Sequence, residues 1–275
     1  MTLQAEWAKS NQDLLDANAQ KLAGNGDVEV IVAAGGPQAA LAAQKYASKK
    51  KIVFTTVVDP VELGLVDSLQ APRKMNLTGM AGKTSELDVA RLSTLHELLP
   101  NAHTIGVFIR QGRPLADHHW KLLKDSAPHG VKLQPYEFPS ATFQDALNAT
   151  AAAIKADPVD AILVTADSMF NDFRQGLVDF LNDTLVHLPA IYQWREFADV
   201  GGLISYGPSL REAYMQAGVY AGRVLSGTPP SDIPVAQPTR KELVINMRTA
   251  AALGVPVSQH LQDAATLIWT PPKPL

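Results

Sequence analysis

The stretch Val28–Val58, VEVIVAAGGPQAALAAQKYASKKKIVFTTVV, holds two short β-branched runs on either side of an alanine-rich segment that opens on Gly35, Gly36 and Pro37. Apolar runs without alternation fit strands covered on both faces, and parallel strands need a crossover of helical length between them. The stretch therefore reads as a βαβ unit. The same alternation continues along the chain. TIGVFI from Thr104, AILVTA from Ala161, PAIYQ from Pro189 and GLISYG from Gly202 are strand candidates. Amphipathic segments run over Pro37–Ser48, Ser85–Leu99, Ala141–Ala156 and Ser168–Val186. This pattern predicts an α/β protein with parallel sheets covered by helices on both faces. NLTGM from Asn76 and KLQPYEF from Lys132 read as weaker or edge strands, the latter because Pro135 cannot donate to a ladder. The region from Asn76 to Lys83 marks the expected end of one sheet and the start of another. A helix from Leu210 is the best punctuated, with Ser209 and Glu212 at capping-box spacing and Gly227, Pro229 and Pro230 stopping it.

With 275 residues, 46% of them hydrophobic, the chain can bury one large core or two modest ones. Its net charge of −3 is scattered, which argues against nucleic acid or an anionic membrane as partner. The absence of cysteine removes disulfides, thiolate metal sites and cysteine nucleophiles together. No stretch reaches the roughly 20 apolar residues of a membrane span, so no direct membrane insertion is expected. The opening MTLQAEWAKSNQDLLDANAQ lacks a signal-peptide pattern.

Motifs that resemble catalytic ones lack essential parts. TGMAGKT at Thr78–Thr84 has Leu77 where a phosphate-binding loop needs its first glycine. GNGDVE from Gly24 precedes a strand instead of following one, and reads as a helix C-terminal turn. Ser205 in LISYG has Leu203 in place of the first glycine of a nucleophile elbow. His118 and His119 are adjacent, diverge on a helix and read as exposed, and no other histidine has a partner at ligand spacing. No metal, no cofactor and no catalytic constellation is expected; the chain reads as a binder and not an enzyme.

In parallel α/β sheets ligands gather at the carboxyl ends of strands. After the first run come Gly35, Gly36, Pro37 and Gln38, a cradle suited to a carboxylate, although spacing alone allows an ordinary strand-to-helix turn equally well. After the second comes Asp59 with Pro60, which reads as a helix N-cap followed by proline at the first helical position. After TIGVFI come Arg110, Gln111, Gly112, Arg113 and Pro114; after AILVTA, Asp167 and Ser168; after PAIYQ, Trp194, Arg195 and Glu196. Carboxylates and guanidiniums at these ends suit both charges of an amino acid or a polar metabolite, with Trp194 and Tyr206 as apolar walls.

VEVIVAAGGPQAALAAQ, IVFTTVVDPVELGLVDSL, NLTGM, PAIYQWREFADVGGLISYGPSLREAY and DIPVAQPTRKELVINMRTAAALG resemble, in order and spacing, the ABC-transporter substrate-binding family that includes tryptophan-binding lipoprotein-like members. The resemblance runs from about Leu3 to Ile268. It implies the type I periplasmic-binding-protein architecture, two Rossmann-like lobes that close on a small-molecule ligand. It would place residues 1–80 with 208–240 in the first lobe and 81–207 with 241–275 in the second. Gly35–Gln38 and Asp59 would face the ligand from the first lobe, and Arg110, Asp167 and Trp194–Glu196 from the second. It further implies a membrane permease and an ATPase as partners, a periplasmic or cell-surface location, and a ligand that is an amino acid, aromatic by preference. A ligand-sensing domain of a regulator with the same fold is the alternative. Two departures bear on the ligand: Arg110–Pro114 stands where the family usually shows an Asn-Pro turn, and Asp167-Ser168 where amino-acid binders usually show Asp-Asn. The resemblance also starts at LQAEWA, without the strand and helix that precede it in family members, so the first lobe is expected to be incomplete at the N-terminus, with unpaired strand edges.

Overall fold

Val30–Ala33 forms β1, and the glycine pair after it turns the chain into helix α2 (Pro37–Tyr46), whose alanines 39, 40, 42 and 43 are buried. Small side chains there let α2 lie close against β1 and against β2 (Lys51–Val58), which pairs parallel to β1 from Val30↔Lys51 to Ala33↔Phe54. This is the βαβ unit expected from Val28–Val58. In the computed structural model, which describes residues 2–269 apart from 73, 74, 83, 113–115, 140, 141 and 239, the chain divides into two compact units. Residues 1–83 with 210–239 make the first, and 84–209 with 240–275 the second.

The first unit has a three-stranded parallel sheet in the order β1-β2-β3, where β3 is Leu77–Gly82. Ile31, Ile52, Phe54, Leu65 and Leu77 pack with the α2 alanines into one core. The opposite face is covered by α9 (Leu210–Leu225), whose Ala217, Tyr220 and Val224 bury Val53 with Ile233. A further helix, α1 (Gln12–Gly24), is capped by Asn11, whose side chain accepts from Leu14 N, and packs on α2. The sequence reading does not anticipate α1 as an element. LQAEWA carries no strand pairing, and Leu3 and Trp7 are exposed.

The second unit has a seven-stranded sheet in the order β10-β9-β8-β7-β6-β4-β5. Its strands are β4 (Thr104–Arg110), β5 (Lys132–Phe138), β6 (Ala161–Val164), β7 (Ala190–Tyr192), β8 (Ile204–Pro208), β9 (Lys241–Asn246) and β10 (Thr266–Ile268). β5 is an edge strand, as Pro135 predicts. The sheet departs from the all-parallel expectation at one place: β9, where the chain re-enters this sheet after α9, runs antiparallel to β8. Helices α3 (Thr84–Leu98), α4 (Ala116–Asp125) and α5 (Phe143–Ala156) connect the first strands. The segment expected as one helix from Ser168 is two, α6 (Ser168–Asp172) and α7 (Arg174–Asn182). The break falls at Phe173, whose ring stacks on Phe143 with centroids 4.4 Å apart. Short α8 (Arg195–Asp199), α10 (Met247–Ala252) and α11 (Gln259–Ala264) complete the unit.

The most unusual packing in this unit joins α3 to β8. Arg91 is wholly buried, pairs with buried Asp88 one turn away, and donates from Nε to the Tyr206 carbonyl at 2.7 Å. Gly207 leaves room for both neighbours: a Cβ there would lie 3.2 Å from Arg91 Nη2 and 2.0 Å from the Gln193 carbonyl oxygen. His119 corrects the expectation of an exposed residue. It is buried because it shares a helix face with Leu123, one turn on, which belongs to the core. The side chain of His118 lies outside the described residues.

Candidate functional site

Ligand chemistry in this fold is expected at the carboxyl ends of the strands, and the two units supply different groups there. In the first unit, Gly35 (φ +115°) and Gly36 (φ +82°) both lie where L side chains rarely go, which is why glycine is needed at both. Gly36 is the N-cap of α2, Pro37 sits at its first positions, and no side chain caps this helix end. A Cβ at Gly36 would meet nothing within 4 Å, so the backbone there is open to close approach. Gly36 is itself buried, and the first free amides of this ten-residue helix carry the positive end of its dipole, which favours an anionic group. Gln38 Oε1 is buried without a hydrogen-bond partner, as is Thr55 Oγ1 on β2.

Asp59 does not cap a helix. Residues 60–64 form a turn, closed by Leu63 N donating to the Asp59 carbonyl at 3.0 Å, and Asp59 itself has φ +43°. Gly64, at φ +67°, ends the turn before it can propagate.

In the second unit Arg110, Asp167, Trp194 and Tyr206 stand at or beside the carboxyl ends of β4, β6, β7 and β8, four neighbouring parallel lanes. Asp167 is buried and caps α6 by accepting from Met169 N at 2.9 Å. Its Oδ1 also lies 3.4 Å from Arg110 Nη1, with the two side chains only 11% and 5% exposed. The Asp167 carboxylate is therefore already offset by a guanidinium. Ser168, half-buried, opens α6. Trp194 is buried, and Tyr206 is half-buried against the core with its carbonyl held by Arg91. Arg195 turns to solvent and pairs with Asp199 at 3.5 Å. Arg113 and Pro114 lie outside the described residues.

Glu196 differs from the other acids. It is half-buried in the first turn of α8, its Oε2 is buried and has no hydrogen-bond partner, and desolvation pushes its carboxyl above the ordinary value of 4.5. Gln193, wholly buried, directs Nε2 towards the Asp167 carbonyl at 3.5 Å and leaves Oε1 without a donor. Asn171 Oδ1 and Ser205 Oγ are likewise buried and unpartnered. Sequence reasoning missed Gln193 and Asn171. An amide ending the apolar run PAIYQ was the available signal for the first, since a polar side chain entering a buried strand end requires a partner. Among the described residues no group of three or more histidines or carboxylates is arranged to hold a metal ion. No described helix is long and apolar enough to cross a membrane.

The family profile described as ABC transporter substrate binding protein matches residues 1–268. The chain belongs to this family. A curated relative, the tyrosine-binding protein of Clostridioides difficile strain R20291, is 26% identical over 231 residues, which cover 82% of this chain and 64% of the relative. This substrate-binding chain thus spans less than two thirds of that relative's length. Its fold is that of type I periplasmic binding proteins. A Streptococcus pneumoniae ABC domain solved in complex with L-Trp superposes with a TM-score of 0.81 at 21% identity, covering 94% of this chain and 86% of that one. A conserved domain protein of Vibrio cholerae O1 biovar El Tor N16961 also gives 0.81, at 27% identity over 94% of this chain and 83% of its own.

Proposed function

We propose that this chain is the ligand-capturing subunit of an ABC importer, which binds an amino acid, aromatic by preference, without converting it and presents it to a membrane permease served by an ATPase. Gly35, Gly36, Pro37, Gln38 and Asp59 from the first unit, and Arg110, Asp167, Ser168, Trp194, Glu196 and Tyr206 from the second, contribute the contacts, and the units close on the ligand outside the cytoplasm. Arg195, paired with Asp199 in solvent, is the weakest of the proposed contacts.

The observation that carries this reading is the family match across residues 1–268. The tyrosine-binding relative and the L-Trp complex support the aromatic preference. The strand ends support binding over turnover: they offer uncapped helix amides in one unit and buried acceptors in the other, with no nucleophile beside an oriented base among the described residues.

Titration calorimetry against the twenty amino acids tests it, with fluorescence of buried Trp194 as a second signal. Saturable binding is expected, tightest for tyrosine or tryptophan. A flat response across the panel refutes the proposal.

A further inference from the structure

The carboxyl ends of β6 and β7 are rich in acceptors and short of donors. Gln193 Oε1 and Glu196 Oε2 after β7, and Asn171 Oδ1 in α6, the helix that follows β6, are buried without a hydrogen-bond partner. The guanidiniums of this region are already engaged: Arg110 lies against Asp167, Arg195 against Asp199, and Arg174 donates to the Asn171 carbonyl at 3.0 Å. A buried acceptor without a donor is costly, and a bound donor-rich group recovers that cost.

The charges that act on Glu196 come from three elements. Asp199 lies on its own helix, Arg174 on α7 and Glu242 on β9. Glu242 and Asp199, the latter paired with Arg195, attract a cation arriving at Glu196, and Arg174 repels it. Asp167, the other buried carboxylate at these strand ends, is held by Arg110 and by its cap to Met169 N.

We propose that Glu196, with Gln193 at the end of the preceding strand, receives the ammonium group of the ligand, and that acidification, by protonating this carboxyl, lowers affinity. The inference rests on the reading of the chain as an amino-acid binder. In the free protein the carboxyl carries its proton to higher pH than usual, because burial disfavours the anion, Asp199 and Glu242 add to this, and Arg174 and a backbone amide oppose it. An incoming ammonium reverses the preference. The carboxyl O–H breaks, the oxygen keeps the electron pair as its anion pairs with the ammonium, and the proton passes to buffer. Binding is then strongest above the free-state pKa of Glu196, which lies above 4.5, and weakens as pH falls through it.

The test is calorimetry of wild type and Glu196→Gln with L-tyrosine, L-tryptophan, tyramine and 3-(4-hydroxyphenyl)propionate, from neutral pH down to about pH 5. Two buffers of unlike ionisation enthalpy report proton release. Wild type is expected to lose affinity for the amino acids on acidification and to show buffer-dependent heats. Glu196→Gln should bind them at least about tenfold more weakly and lose both the acid dependence and the buffer dependence. The propionate, which has no ammonium, should bind both proteins equally. Carbon-13 titration of the Glu196 carboxyl in wild type, with and without L-tyrosine, checks the proton independently of any variant, and the ligand is expected to lower its midpoint. Amino-acid binding that is tight, unaffected by Glu196→Gln and accompanied by no proton release overturns this inference while leaving the functional reading intact. Absence of amino-acid binding in wild type overturns both.

Discussion

Replacing Arg91 by methionine should be the most damaging single change in the second unit. The guanidinium is wholly buried, its Nη1 pairs with Asp88, itself 1% exposed, and its Nε holds the Tyr206 carbonyl at 2.7 Å. Methionine keeps most of the volume and removes every donor. Breaking a buried pair from one side leaves a buried charge, at a cost of about 3–5 kcal/mol, and the stranded carbonyl of Tyr206 adds to it. With a urea m-value of about 3 kcal/mol/M, the unfolding midpoint should fall by about 1–1.7 M. Tryptophan fluorescence is the right probe. Trp7 and Trp269 are exposed, whereas Trp194 is buried and Trp120 partly so, both in the second unit, so the signal change reports this unit. Arg91→Met with Asp88→Leu removes both charges together and should recover most of the loss. A single variant within about 1 kcal/mol of wild type, or a double variant no better than the single, would refute the argument that the pair is held by mutual burial.

Gly207→Ala should cost at least about 2 kcal/mol, because its Cβ would lie 2.0 Å from the Gln193 carbonyl oxygen, whereas Gly218→Ala on α9, with no heavy atom within 4 Å, should gain about 0.5–1 kcal/mol; urea melts of the two decide. Asp167→Asn keeps an acceptor for Met169 N, whereas Asp167→Ala loses the cap at about 0.5–2 kcal/mol. If Asp167 also meets a ligand charge, both variants should weaken binding by about 1.5–3 kcal/mol, and unchanged affinity in calorimetry assigns the residue to capping alone. Because the folded-state pKa of Glu196 is raised, its contribution to the stability of the ligand-free protein is present in full below the unfolded value and is lost as pH rises through the folded one. Glu196→Gln should therefore flatten the stability profile above about pH 4.5, measured by chemical denaturation at a series of pH values.

The βαβ order was readable because β6 and β7 are buried at every residue and β4 through its centre, and so appear as unbroken apolar runs. Features set by distant residues were not. The antiparallel β9 depends on a return from α9, the break at Phe173 on a ring contact with Phe143, and the burial of His119 on the core that its helix happens to face. The candidate site divides in the same way. Gly35, Gly36 and Pro37 carry their geometry in their own residue types, whereas Asp59 enters a turn and Arg195 reaches for Asp199. The amide ending PAIYQ marked Gln193 locally, whereas the unpartnered oxygen of Asn171 could not be read so, since satisfaction of a polar atom is a property of the surroundings and not of the residue.

Neither unit is a continuous piece of chain. The path passes between them after Lys83, Ser209 and Thr239, and α9, which covers one face of β1, β2 and β3, is encoded far downstream of them. A ribosome making five to twenty residues per second needs roughly 7–30 s to travel from the end of β3 to the end of α9. For that interval Val53 has no Ala217, Tyr220 or Val224 to cover it, and the nascent sheet presents a bare apolar face. The order of synthesis therefore leaves this face uncovered until α9 emerges, and no fragment that ends before α9 contains a finished core of the first unit.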